Sequence, residues 1–235
     1  MYSSNIGTVK MALQVGTENQ KAFLRKLGFF ERPHVELKER GAPLVPADWK
    51  EINTMTIAFG HGLSITGLQL AAGYAAVAGD GMLHPVTVLK KPPGYQPPGE
   101  RIIAPETVPK IRGLLRLVVE KGTGKQAEAP MYLVGGKTGT AEKAAAGGYH
   151  KKSLVSSFAS VFPVTDPRYV MVVMIDEPHG TKKTYGYATA GWTAAPTTKR
   201  IVERIAPMLG VPASTETTHP VTREIMQYIQ PEVRG

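Results

Sequence analysis

The stretch MYLVGGKTGTAE, Met131 to Glu142, sets a lysine and two threonines among glycines in otherwise strand-forming company. It reads as a β-strand interrupted by glycines, with Lys137-Thr138-Gly139-Thr140 at its centre. Taken alone the tetrapeptide means little. Average residue usage gives a Lys-Thr-Gly by chance in roughly one chain of this length in twenty, and its plain reading is a glycine turn in a hairpin. What surrounds it carries the argument.

Downstream, AAAGG, Ala144 to Gly148, reads as a flexible loop. SLVSSFASVF and RYVMVVMID then form a hairpin across PVTDP, the second strand apolar enough to be central. A last helix starts at Pro196, lines up Ile201, Val202 and Ile205, and is ended by Pro207. The tail from Pro212 is polar and expected to be loosely held.

Upstream, Val108, Ile111, Leu114, Leu115 and Val118 line one helical face, with Pro109 in the first turn and Gly122 as the stop. EKGTGKQ, Glu120 to Gln126, is that stop followed by a loop. HPVTVLKKPPGYQPPGER starts as a short strand and becomes a proline-rich surface connection. In AFGHGLSITGLQLAAGYAAVAGDG, Thr66 and Gln69 make a capping box ahead of a buried helix. Glu31 to Asn53 reads as a long surface loop. Before it, TENQKAFLRKLG forms a helix with Thr17 as N-cap and Gly28 as C-cap. A helix of about two or three turns carrying Ile6, Val9 and Leu13 follows Asn5.

Helices come first, antiparallel strands later, and a helix closes the chain. That order is α+β, not the alternation of a doubly wound sheet. The 235 residues show no internal repeat and no boundary between domains.

Composition excludes several classes. Hydrophobic residues at 42% and charged residues at 20% are ordinary for a globular protein. The longest small-apolar run, Leu70 to Gly79, is about half a membrane span, and no signal peptide is present. The net charge of +9 comes from scattered pairs (Lys90-Lys91, Lys151-Lys152, Lys182-Lys183, Lys199-Arg200) without interleaved aromatics. That is a solvated basic face and no nucleic-acid module. With no cysteine, disulfides and thiol chemistry are absent. The six histidines show no ligand spacing, so neither a metal nor a cofactor is expected. His61 reads as a loop residue, Asp176 and Glu177 as a solvent-facing strand end, Phe59 and Trp192 as packing residues.

A second motif gives the tetrapeptide its meaning. Ser3-x-Asn5 opens the chain in SSNIGTVK, Ser3 to Lys10. Its plain reading is a helix cap, since these residue types favour that position. Together the two motifs match acyl transfer at a peptide-like carbonyl. That chemistry needs a cation to orient an anionic substrate, a donor for the oxyanion and a cleft wall. On an edge strand Lys137 supplies the charge, and the hydroxyls of Thr138 and Thr140 bind a carboxylate. Gly139 leaves the approach open, and the Thr140 N–H is placed for the oxyanion. Ser3 would relay a proton and Asn5 hold a substrate amide from the helical side.

Ser-x-x-Lys, Ser-Asp-Asn and Lys-Thr-Gly occur together in β-lactamases and penicillin-binding proteins. SSNIG, AFGHGLSITGLQLA followed by YAAVAGDG, GGKTGTAEK, and AAP before the final helix resemble, in order, the transpeptidase domain of class B penicillin-binding proteins, the division-specific (FtsI-like) branch most closely. Ser4 stands where an Asp is common and Gly67 where a proline is common. The resemblance covers about Ser3 to Leu209. It does not supply the nucleophile: no serine here has a lysine three positions on. GTVK, Gly7 to Lys10, imitates the motif with a glycine in the serine's place, and Thr8 and Lys10 read as ordinary first-turn helix residues.

The resemblance implies the penicillin-binding protein and serine β-lactamase-like fold, an antiparallel sheet with helices packed on it and a helical subdomain, incomplete at its N-terminus. Residues 1–211 are expected to be a partial transpeptidase domain and 212–235 a polar tail. The implied activity is peptidoglycan D,D-transpeptidation during septal wall synthesis, with the attacking serine on a part of the protein outside this chain. The implied partners are D-Ala-D-Ala stem peptides, β-lactam antibiotics and other cell-division membrane proteins. The implied location is the periplasmic face of the bacterial cytoplasmic membrane, anchored by a segment outside this chain. The alternatives are an elongation-specific transpeptidase, a D,D-carboxypeptidase or β-lactamase relative, and a non-catalytic module that binds wall polymer or partner proteins through its basic surface.

Overall fold

Ser4 starts the first helix by turning its hydroxyl onto the Gly7 amide, 3.1 Å away, while its carbonyl accepts from the Thr8 hydroxyl. Helix α1 then runs Asn5–Val15 in this computed structural model, which describes residues 2–145, 148–215, 220, 222 and 223. The chain divides into two compact units, Ser3–Ala104 and one built on Pro105–Gly235, a division that no shift in composition announces.

The first unit is mainly helical: α1, α2 (Thr17–Lys26), α3 (Glu51–Ala58) and α4 (Gly67–Ala78), with a small pair of strands. Gly16, at φ 83°, makes the break between α1 and α2 and takes the N-cap position expected of Thr17. The Thr17 hydroxyl instead accepts from the Thr54 hydroxyl at 2.9 Å, and Thr54 in turn accepts from the Trp49 indole at 3.0 Å. At the other end Leu27 caps α2, and Gly28 follows in the left-handed region. Thr54 is fully buried on α3, a helix the sequence reading places partly inside a loop and otherwise misses. Asn53, Thr54 and Thr56 are weak helix formers. Asn53 caps the helix by accepting from the Lys50 amide at 2.8 Å, and burial of Thr54 does the rest.

Helix α4 begins with the expected capping box. Gln69 does more than close it. Its carboxamide oxygen accepts from the Thr66 amide and hydroxyl, at 3.0 and 3.1 Å. Its nitrogen donates to the carbonyls of Gly28 and Glu31, both at 2.8 Å. Leu27, Phe29 and Ala76 form the small core here, and Phe29 lies so close to Gly73 that a Cβ there would sit 2.9 Å from the ring. The strand expected to begin at His84 begins two residues earlier: β1, Met82–Leu83, pairs with β2, Glu100–Arg101, at the far end of the proline-rich stretch.

In the second unit, helix α5 (Val108–Lys121) lies against a three-stranded antiparallel sheet of order β3-β4-β5: Gly135–Ala145, Gly148–Phe162 and Tyr169–Asp176. The α+β arrangement expected of the sequence is the one found. Three details differ. The central strand is β4, because its serines are buried with hydrogen bonds: Ser156 Oγ donates to Ala188 O and Ser160 Oγ to Met171 O. The very apolar β5 pairs on one side only, among the described residues. On α5 Val108 and Val118 are buried as expected, but Leu114 is half exposed, and Gly113, Arg116, Leu117 and Val119 are buried as well. The Ala144–Gly148 loop also shrinks, since Ala144 and Ala145 pair with Tyr149 and Gly148, and residues 146–147 lie outside the described residues.

Phe158 and Phe162 anchor this unit's core with Val119, Val134, Ala190, Ala194 and Val202, each large side chain contributing about 1.5–3 kcal/mol by burial. Helix α6 (Ala194–Ile205) supplies Val202 and starts two residues ahead of Pro196. Described residues of the tail are attached: the Ser214 amide donates to Met131 O, and buried Thr222 donates to Gly113 O. Of the remainder of the region expected to be loose, residues 216–219, 221 and 224–235 lie outside the described residues.

Candidate active site

Strand β3 carries four of the six expected site residues on the sheet's edge, paired with β4 on one side only among the described residues. Lys137, Thr138, Gly139 and Thr140 stand opposite Ala159, Phe158, Ser157 and Ser156. The strand is crowded against its neighbour. A Cβ at Gly136 would lie 2.6 Å from Ala159 O, and one at Gly139 would lie 2.7 Å from Ser157 Oγ. A side chain at 139 would therefore have to displace the Ser157 hydroxyl, which donates to the Gly139 carbonyl at 3.3 Å.

Lys137 is half-buried, and desolvation holds its ammonium below the usual lysine range. The ammonium donates to the Thr138 carbonyl at 2.8 Å and reaches the Thr138 hydroxyl at 3.4 Å. Beside it the Thr138 hydroxyl is 2.7 Å from that of Thr123. The Thr140 hydroxyl accepts from the Ala190 amide at 3.1 Å, which leaves its own proton to donate. The Lys137 ammonium thus lies beside the Thr138 hydroxyl, and Thr140 follows two residues on along the same edge strand. A cation with neighbouring hydroxyl donors has the chemistry to bind a carboxylate.

Ser3 and Asn5 belong to the other unit, at the start of α1. Capping there falls to Ser4, so the plain reading of Ser3 and Asn5 as caps does not hold. Ser3 has φ 55°, a left-handed conformation that is uncommon for a residue other than glycine. Asn5 is the first helical residue, and both side chains are exposed.

The penicillin-binding protein transpeptidase domain matches residues 1–203. The chain belongs to that family. It is 40% identical over 224 residues to a probable peptidoglycan D,D-transpeptidase FtsI of Caulobacter vibrioides, covering 92% of this chain and 38% of that protein. It is 35% identical over 239 residues to the penicillin-binding protein PbpB of Mycolicibacterium smegmatis, covering 94% and 36%. The chain thus spans under two fifths of the length of these relatives. Among solved structures, the transpeptidase domain of penicillin-binding protein 3 from Burkholderia pseudomallei superposes with a TM-score of 0.82 at 35% identity, over 91% of this chain and 64% of that one. Penicillin-binding protein 3 from Mycobacterium tuberculosis, solved with ampicillin bound, gives 0.80 at 31% identity, over 94% and 52%.

Two neighbours of the threonines on β3 escape the sequence reading. Thr123 lies in EKGTGKQ, which reads only as a helix stop, and Ala190 acts through its backbone. A hydroxyl flanked by two glycines was the one available signal for Thr123. Elsewhere the plain readings hold. His61 sits in a glycine-flanked loop against Phe59, ring centroids 5.4 Å apart. Asp176 and Glu177 are exposed and paired with Lys143, at 2.7 and 3.1 Å. Trp192 packs on Tyr185 and Tyr187. No described helix is long and apolar enough to cross a membrane.

Proposed function

We propose that this chain is part of a serine-type peptidoglycan D,D-transpeptidase that crosslinks stem peptides. The observation that carries this reading is the open edge of β3, where the Lys137 ammonium and the hydroxyls of Thr138 and Thr140 stand together in a member of the transpeptidase family. In the proposed sequence a serine from outside these 235 residues attacks the penultimate D-Ala carbonyl of one stem peptide and releases the terminal D-Ala. An amine from a second stem peptide then resolves the acyl-enzyme. Lys137, Thr138 and Thr140 hold the donor's carboxylate, and Gly139 lets the donor strand lie close. Ser3 relays a proton, and Asn5 binds a substrate amide.

β-Lactams occupy the same place as donor mimics. The complexes of Mycobacterium tuberculosis penicillin-binding protein 3 with ampicillin and aztreonam support that reading. The likeness to an FtsI-named relative supports a division role, alongside other division proteins at the periplasmic face of the cytoplasmic membrane.

A fluorescent penicillin tests the proposal. Removal of one oxyanion donor costs about 10²–10³ in rate, and loss of the nucleophile far more, so these 235 residues alone should take up no covalent label. The gene's full-length product should be labelled, and Lys137→Ala with Thr138→Ala should abolish the labelling. A labelled band from the 235 residues, or a full-length double variant labelled like wild type, would refute the assignment.

A further inference from the structure

Thr123 belongs to none of the motifs that carry the family resemblance, yet its hydroxyl is 2.7 Å from that of Thr138. The contact is held from three directions. Gly122 and Gly124 both donate their amides to the Val118 carbonyl, at 3.1 and 3.0 Å, which fixes the turn at the end of α5. Gly124 is wedged where a Cβ would be 3.1 Å from the Phe158 ring. Behind Thr123, a Cβ at Gly191 would be 2.8 Å from the Thr123 carbonyl. Next to Gly191 stands Ala190, whose amide fills the Thr140 hydroxyl oxygen. The turn after α5, the edge strand and the 188–193 segment are therefore packed as one assembly around the two threonines.

Resting on the transpeptidase reading, we propose that Thr123 is a positioning residue for the carboxylate subsite, setting the direction in which Thr138 donates. The reasoning is a count of lone pairs and protons. A hydroxyl has one proton and two acceptor positions. Lys137 has only donors, so at 3.4 Å its ammonium engages one Thr138 lone pair. When Thr123 donates, the second lone pair is engaged too. The Thr138 proton then has nowhere to go within the protein and points at an incoming anion. Thr140 is prepared in the same way by the Ala190 amide. Binding of a carboxylate selects the arrangement in which Thr123 donates. Without the Thr123 hydroxyl, the Thr138 oxygen keeps a vacant lone pair and its proton is no longer directed outward.

Thr123 is exposed, so Thr123→Val changes shape little and leaves the core alone. The full-length protein is assayed for acylation by benzylpenicillin and by its neutral methyl ester. The wild type should be acylated faster by the acid than by the ester. Thr123→Val should slow the acid by about tenfold, the loss of one charge-assisted hydrogen bond, and leave the ester rate unchanged. Thr123→Ser should restore the acid rate. Valine and wild type within twofold for the acid, or acid and ester slowed alike, would overturn the inference. A wild-type protein acylated by neither compound would instead overturn the enzyme reading, and this inference with it.

Discussion

Replacing Arg116 by methionine removes a charge from the second unit's interior while keeping most of the side chain's apolar volume. The Arg116 side chain is 3% exposed. Its guanidinium donates to Glu120 at 2.9 Å and to the Val134 carbonyl at 2.9 Å, and it pairs with Glu128 at 2.7 Å. Removing it leaves the Val134 carbonyl unsatisfied, about 1–3 kcal/mol. It also strands the Glu120 carboxylate, which is 11% exposed, and breaking such a pair costs about 3–5 kcal/mol. The two losses overlap, so about 4 kcal/mol is the expected destabilisation. With an urea m-value near 2 kcal/mol/M, the midpoint should fall by about 2 M. Trp49 and Trp192 lie one in each unit, so a Trp49→Phe background lets fluorescence follow this unit alone. Adding Glu120→Leu should recover more than half the loss, because an apolar replacement ends the stranding. A midpoint shift under about 0.5 M, or no recovery in the double variant, would refute the account.

Two further outcomes are expected. Gly136→Ala should destabilise by about 1–3 kcal/mol in urea unfolding, because its Cβ meets the Ala159 carbonyl and the Phe158 ring, neither free to retreat. His84 sits between two acceptors, Asp80 at 3.0 Å and the Pro98 carbonyl at 3.0 Å, and the hydrogen bond it donates to Asp80 leads in raising its pKa. Desolvation pushes the Asp80 carboxyl up, but its bonds with His84 and the Met82 amide outweigh that and hold it low. A raised histidine pKa adds stability that is full below the unfolded value of about 6.5 and lost as pH rises through the folded one. A lowered carboxyl pKa adds stability that is lost as pH falls through it. Amide exchange at the β1–β2 pair, corrected for intrinsic rates, should therefore be most protected near pH 5–6. It should lose that dependence in His84→Gln, and a flat wild-type profile would count against the pairing.

Much of the fold is legible in the sequence because its signals are local. Thr66 and Gln69 announce α4 within four residues, and Pro109 and Gly122 bracket α5. The hairpin of β4 and β5 shows in two apolar runs around PVTDP. What is not legible depends on partners distant in sequence. Helix α3 forms because Thr54 is buried against Thr17, Gln20 and Trp49. The choice of β4 as the central strand rests on serines whose acceptors, Ala188 O and Met171 O, no window around them contains. The site divides the same way. Lys137, Thr138 and Thr140 are readable as a motif, whereas Thr123 meets Thr138 only when the turn after α5 folds back on β3.

Gln69 limits how this chain can change over generations. Its carboxamide uses two donors and two acceptors at once, joining the start of α4 to the end of α2. Every amino acid reachable from a glutamine codon by a single base change lacks that double capacity: glutamate and leucine cannot donate, lysine and arginine cannot accept, and histidine and proline have neither the reach nor the count. Genetic drift at this codon is therefore trapped, and natural variants of the protein should differ almost anywhere on its exposed faces before they differ there.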